Sequence, residues 1–290
     1  MKLHPTFVIL LCAAAVTVQA APPGAIYMHH QDTGLARAFC SKRMPVIGGG
    51  GFVETPAGMP FKEEKLRQTY PISDATGVLA FGNSAIGYQV ASSDFTDIVA
   101  AFSICAAPSL AAAIDVEYVS AQSIGVARAF CPANAVVLGG GGFVETPPEE
   151  GFKEEKLRQT YPISDATGVI AFGTTAIGWQ AASSNFQDIV VSFAVCATPR
   201  PGFKVVAHYE SAQDIGVVRA FCRAPGLTLT GGGGFVEEPQ PVFQEEALRQ
   251  TYPISDATGV IAHGNKAIGW QTASSNFADT VVSIAICTSY

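Results

Sequence analysis

Over residues 115–198 the apolar positions come in short alternating runs. Val191-Ser192-Phe193-Ala194-Val195-Cys196 alternates between an inward and an outward face, which predicts a half-buried strand. Val136-Val137-Leu138 is a short buried run ahead of four glycines. Leu157-Arg158-Gln159-Thr160-Tyr161 would place Leu, Gln and Tyr on one face of a strand and Arg and Thr on the other. Pro162 ends that strand, because proline has no N–H for a ladder. Ser164 to Gly168 reads as a turn, with short polar side chains and a glycine. Val169–Phe172 and Ile177–Gln180 read as the arms of a further hairpin. The pattern predicts five or six antiparallel strands, and the FKEEKLRQ stretch at 152–159 is the one hint of helix.

The same pattern occurs three times. ARAFC at 36–40 and 127–131 is matched by VRAFC at 218–222, and GGGGFVE stands at 48–54, 139–145 and 231–237. EEKLRQTYPISDATGV occupies 63–78 and 154–169, and EEALRQTYPISDATGV occupies 245–260. AIGY or AIGW follows, then SSDF or SSNF, then a closing strand that carries a cysteine. The period is 91 residues, and the units are bounded at about 25–107, 115–198 and 206–290. Short Pro-containing joints connect them. A unit of this length with its own disulfide is large enough to fold alone.

Cys40/Cys105, Cys131/Cys196 and Cys222/Cys287 are each 65 residues apart. These six, the cysteines that remain when Cys12 is set aside with the N-terminal apolar run, allow about 15 pairings, and the periodicity favours a bridge within each repeat, tying its first and last strands. In the chain-entropy model such a loop contributes roughly 4 kcal/mol. Zinc is disfavoured as the role of these cysteines because no CxxC or clustered-His spacing supports it.

Residues 1–20 read as a signal peptide: Lys2, an apolar run from Phe7 to Val18, and Val18-Gln19-Ala20 before Ala21. Leu11 before Cys12 is not the small residue that a lipoprotein signal requires. The expected location is therefore secreted, extracellular or periplasmic, with no membrane span. The net charge is −7 and becomes −8 when Lys2 is removed. Acidity without a basic face argues against nucleic acid as a partner.

Several motifs tempt toward chemistry. Gly139–Gly142 lacks the Lys-Ser/Thr of a phosphate loop, and glycines in a β context mark a bulge or a close approach by another backbone or an indole. Asp32-Thr33-Gly34 spells the aspartic-protease tripeptide in only one copy. None of His4, His29, His30, His208 and His263 recurs in all three repeats, so no shared histidine site is expected, and His29 and His30 default to the surface. Glu63-Glu64, Glu154-Glu155 and Glu245-Glu246 could serve glycoside hydrolysis only with a carboxylate from elsewhere, such as Asp74, Asp165 or Asp256. Tyr88, Trp179 and Trp270 each follow Ile-Gly among apolar neighbours, which favours burial. No metal, cofactor or catalytic residue is assigned.

The sixteen-residue block has drifted less than its flanks TPAGMPF, TPPEEGF and EPQPVF. Two accounts compete. A buried Arg–Asp or Arg–Glu pair would make the block scaffold. Alternatively it offers a polar face three times over: Arg67, Gln68, Tyr70 and Asp74; Arg158, Gln159, Tyr161 and Asp165; Arg249, Gln250, Tyr252 and Asp256. Guanidinium, amide and carboxylate groups suit hydroxyl-rich ligands.

The order Cys-Pro-x-x-x-Val-Val-Leu-Gly-Gly-Gly from Cys131, then Tyr161-Pro162, Gly178-Trp179, Asn185-Phe186 and Ala194-Val195-Cys196-Ala197, resembles a recurrent repeat of predicted secreted bacterial proteins. The first copy lacks the proline and has Tyr88 for Trp, and the third has Arg223 after its cysteine. The resemblance implies export, β structure and the cysteine pair. The expected architecture is all-β: three tandem antiparallel sandwich or barrel repeats, with a single pseudo-threefold prism as the alternative. The expected function is non-catalytic multivalent binding of a polysaccharide or cell-surface glycan. The alternatives are a self-associating coat protein and, last, a glycoside hydrolase.

Overall fold

The computed structural model describes residues 24–41, 44–58, 64–145, 155–237 and 247–290. The expected signal peptide, and Glu63, Glu154, Glu245 and Glu246, lie outside them.

Repeat 1 supplies β1 (Ala25–Thr33), β2 (Leu35–Phe39), β3 (Val46–Glu54), β4 (Leu66–Ile72), β5 (Gly87–Ser92) and β6 (Ile98–Ala106). A short helix, α1 (Pro108–Ala113), follows in the first joint, with proline in its first turn. Repeat 2 supplies β7 (Ile114–Ile124), β8 (Val126–Phe130), β9 (Val136–Glu145), β10 (Leu157–Ile163), β11 (Gly178–Ser183) and β12 (Ile189–Pro199). Repeat 3 supplies β13 (Val206–Ile215), β14 (Val217–Phe221), β15 (Thr228–Glu237), β16 (Leu248–Ile254), β17 (Gly269–Ser274) and β18 (Thr280–Ser289). The all-β class, the three units and the three cysteine pairs are as the sequence predicts: Cys40–Cys105, Cys131–Cys196 and Cys222–Cys287 are bonded. Each bridge joins the residue after a repeat's second strand to its last strand. The first strand reaches the last by direct pairing instead.

The strands form three six-stranded antiparallel sheets, and each sheet draws on two repeats. Their orders are β1-β6-β3-β16-β17-β14, β13-β18-β15-β10-β11-β8 and β2-β5-β4-β9-β12-β7. Of the two arrangements open from sequence, the shared, pseudo-threefold body is the one adopted. The halves of a sheet meet over only two residue pairs, such as Gln68↔Phe143 and Thr69↔Gly142. The block strand carries a bulge at Arg67, so strict alternation fails there. Leu66 and Thr69 are buried across it, where alternation would have grouped Leu66 with Gln68 and Tyr70. Pro71 lies inside β4, beyond the pairs made with β9, so its missing N–H interrupts no bond between repeats.

The core explains why the repeats interlock. Leu66, Leu157 and Leu248 lie in one cluster with Val53, Val144 and Val236, so each repeat sends its leucine into a shared interior. Full burial of each such side chain is worth roughly 1.5–3 kcal/mol. Deeper in, the three glycine strands meet one another. A Cβ on Gly48 would lie 2.5 Å from Thr230 O, one on Gly139 2.7 Å from Ile47 O, and one on Gly231 2.2 Å from Leu138 O. The contacts run in a cycle through the three repeats and leave room for hydrogen only. One residue further along, Trp179 packs on Gly140, Trp270 on Gly232 and Tyr88 on Gly49. The indoles donate to Thr160 and Thr251 Oγ1 at 2.8 Å. Tyr88 donates to Gly140 O instead, and buried Thr69 Oγ1 is left without a hydrogen-bond partner.

Each seam is latched twice. Tyr118 bridges Gly82 of the preceding repeat, Tyr209 bridges Gly173, and Tyr27 closes the ring on Gly264. Their hydroxyls donate to Val46, Val137 and Leu229 carbonyls at 2.7, 2.8 and 2.6 Å. Burial raises all three phenol pKa values. Outside, Tyr70 of repeat 1 packs on Phe143 and Phe193 of repeat 2, and Tyr252 of repeat 3 on Phe52 and Phe102 of repeat 1.

Two outcomes are expected. Residues 115–198 produced alone will fold as a homotrimer or not at all. A monomer by light scattering with a cooperative melt would contradict the interlock. Tyr88→Trp will give Thr69 the indole partner that its counterparts have, raising stability by about 1 kcal/mol in urea unfolding.

Candidate functional site

The repeated block resolves first. Asp74 Oδ1 accepts from the N–H groups of Thr76, Gly77 and Val78 at 2.8–3.1 Å and from the Thr76 hydroxyl at 2.8 Å. Gly77, at φ +99°, completes this turn. The Val78 N–H bond and the Thr76 hydroxyl hold the Asp74 carboxyl below the usual carboxylate range. Asp165 and Asp256 sit in equal turns and are lowered in the same way, with the Thr167 and Thr258 hydroxyls contributing most. Gln89 donates to Gln68 at 3.1 Å and to the Tyr70 hydroxyl, and Arg37 Nε donates to Gln89 at 2.7 Å. Arg37 also donates to Thr76 O at 2.8 Å, which ties the network to the turn. Gln159 and Tyr161 engage Gln180 and Arg128 in this way, and Gln250 and Tyr252 engage Gln271 and Arg219. Burial raises the phenols of Tyr70, Tyr161 and Tyr252. The three outer arginines and three glutamines of these networks were missed from sequence. Their signal was ARAFC (VRAFC in the third copy) and the Gln after each Gly-Tyr/Trp.

The block arginines act across repeats. Arg67 Nε forms an ion pair with Glu155 of repeat 2, and Arg249 Nε with Glu64 of repeat 1. Arg158 Nε donates to Val236 O of repeat 3 at 3.3 Å. Glu64 also accepts from Thr55 N–H, pinning the strand end. All twelve candidate residues are thus engaged in the fold's own bonds. Guanidinium and carboxylate are about one-fifth or less exposed. The residues with surface to offer lie beside them.

Each repeat ends β5, β11 or β17 in a Ser-Ser-Asp/Asn-Phe loop, and the ring projects. Phe95, Phe186 and Phe277 are 59, 67 and 52 % exposed. The loop that carries the ring is tightly held. Ser92 Oγ donates to buried Asp97 at 2.6 Å, and Ser183 and Ser274 donate to Asp188 and Asp279. Gly34 donates to Asp97 O at 2.8 Å and accepts from Ser92 N at 3.0 Å. It adopts φ +71°, and a Cβ there would lie 2.8 Å from Phe95 O. Gly125 and Gly216 repeat the arrangement. Asp32-Thr33-Gly34, which spells the protease tripeptide in one copy only, is part of a strand turn. Exposed Ile124 and Ile215 precede the second and third of these glycines. The Arg249 guanidinium stands 5.7 Å over the Phe277 ring. Phenylalanine, isoleucine and a paired arginine thus share one end of the prism. The hairpins that carry exposed Phe81 and Phe172 lie at the other end of β5 and β11. There a groove of about 560 Å³, lined by Phe39, Met44, Asn83, Ile86 and Tyr118 among others, opens beside the first disulfide.

Trp179, Trp270 and Tyr88 are fully buried, as their Ile-Gly flank predicts. Among the described residues no group of three or more His, Cys, Asp or Glu is placed to hold a metal ion. No described helix is long and apolar enough to cross a membrane. The three disulfides fit an oxidising compartment. In comparisons with known proteins, no family model and no curated protein matches the chain.

Arg249→Gln is expected to destabilise the protein by on the order of 2 kcal/mol, between the values for exposed and buried pairs, because Glu64 loses its counter-charge. In a double-mutant cycle with Glu64→Gln followed by urea unfolding, the two losses will not add.

Proposed function

We propose that the protein is an exported, non-catalytic binding module with three equivalent contact patches for a polysaccharide or cell-surface glycan. The observation that carries this reading is the exposed phenylalanine held on an immobilised loop in all three repeats. A buried Ser–Asp bond and a positive-φ glycine order each loop, yet more than half of the phenylalanine it carries stays exposed. An exposed aromatic on a rigid support is what stacking on a sugar ring requires, at low entropic cost. The adjoining Arg249–Glu64 pair is committed to the fold, and its guanidinium supports the Phe277 ring from 5.7 Å. Three weak sites on one rigid body gain avidity of about 10²–10⁴ toward a repeating polymer without any tight single contact.

A coat protein is the second reading, favoured by Phe81 and Phe172, which are 77 and 75 % exposed on the opposite hairpins. Such rings suit self-association.

The test is retention of the oxidised protein lacking residues 1–20 on a panel of insoluble polysaccharides and cell envelopes. The wild type is compared with Phe95→Ala/Phe186→Ala/Phe277→Ala. These rings are exposed, so the variant's melting temperature should stay within a few degrees of the parent. Loss of retention in the folded variant supports the reading. Equal retention by the variant, or none by the wild type, overturns it. Concentration-dependent oligomers that Phe81→Ser/Phe172→Ser dissolves would favour the coat instead.

A further inference from the structure

We infer that His29 and His263 form a two-imidazole site for a borderline divalent cation, copper(II), nickel(II) or zinc, across the seam between the first and last repeats. The two residues are far apart in sequence and meet only because the ring closes. Their rings lie edge to face with centroids 4.3 Å apart. His29 is also stacked on Phe102 at 6.0 Å, which orients it. The backbones beneath are fixed by paired hydrogen bonds, Tyr27 N to Gly264 O at 2.6 Å and Gly264 N to Tyr27 O at 3.3 Å. Both side chains are solvent-exposed, so an ion has an entry path.

The fold does not require this pair. At the equivalent seams, on the bridges Tyr118–Gly82 and Tyr209–Gly173, the corresponding positions are Ser120 with Phe81 and Ser211 with Phe172. The histidines are therefore a local departure from symmetry at one seam of three. Imidazole nitrogens bind zinc at about 2.0–2.1 Å, so two that share an ion sit roughly 3 Å apart. Rings already in contact reach that separation by a small rotation about their exposed side-chain torsions. Water would fill the remaining positions. Two nitrogen ligands give an affinity order with copper(II) strongest. Such an ion binds the closed ring and not the open chain as a chelate, so it would stabilise the closure in proportion to its concentration.

The experiment uses the protein without a polyhistidine tag. Copper(II), nickel(II) and zinc chlorides are titrated by calorimetry, and melting is followed with and without each ion. His29→Ser and His263→Phe install the residues of the other seams, so both variants should fold. The expected result is one saturable site in the wild type, strongest for copper(II), with a rise in melting temperature. Each variant should lose at least tenfold in affinity together with that rise, and His30→Ala should keep both. Absence of saturable binding by the wild type at millimolar ion, or equal binding by both seam variants, would overturn the inference.

Discussion

Three runs of glycine, one from each repeat, meet at the centre of this protein, and that approach sets everything around it. Gly48, Gly139 and Gly231 each face a carbonyl of the repeat before it round the ring, at a distance that a methyl group would not allow. Because the strands lie so close, the neighbouring glycines leave flat beds for Trp179, Trp270 and Tyr88. Those large rings fill the space between the sheets. The sheets must then extend outward from a shared axis, and each does so with strands from two repeats. The tyrosine latches and the Arg–Glu pairs hold a geometry that the glycines make possible.

Much of this was legible in the chain, and what was not has a physical reason. Alternation in Val191–Cys196 tells which side chains face inward, and the cysteine period tells which residues bond. Alternation does not say which strand lies alongside, because that contact is made by backbone groups common to all residues. So Gln68↔Phe143, between different repeats, was invisible while the strands themselves were not. The bulge at Arg67 was also hidden, and it moved Thr69 to the buried side.

The block EEKLRQTYPISDATGV shows how a repeated polar set can mislead. Its aspartates organise their own turns, its glutamines and tyrosines serve Arg37 and its counterparts, and its arginines reach a neighbouring repeat. Such a residue answers to two repeats at once, so a change in one copy must suit the next. That coupling accounts for slow drift without a ligand. The exposed phenylalanines looked in sequence like mere markers of periodicity. A phenylalanine between Ser-Asp/Asn and a polar turn was the available signal, since a core ring seldom sits among side chains that compete for water.

Ring closure carries a further consequence for the covalent order of the chain. Gly24 lies directly against Tyr290, and the Gly24 carbonyl accepts from Ala107 N–H at the joint between the first two repeats. The two positions could be spliced by a short linker, and the chain opened at either joint, with every strand keeping its neighbours. Which repeat is written first is thus a matter of genetic bookkeeping, whereas their number is fixed: a closed cycle of three glycine strands has no vacancy for a fourth.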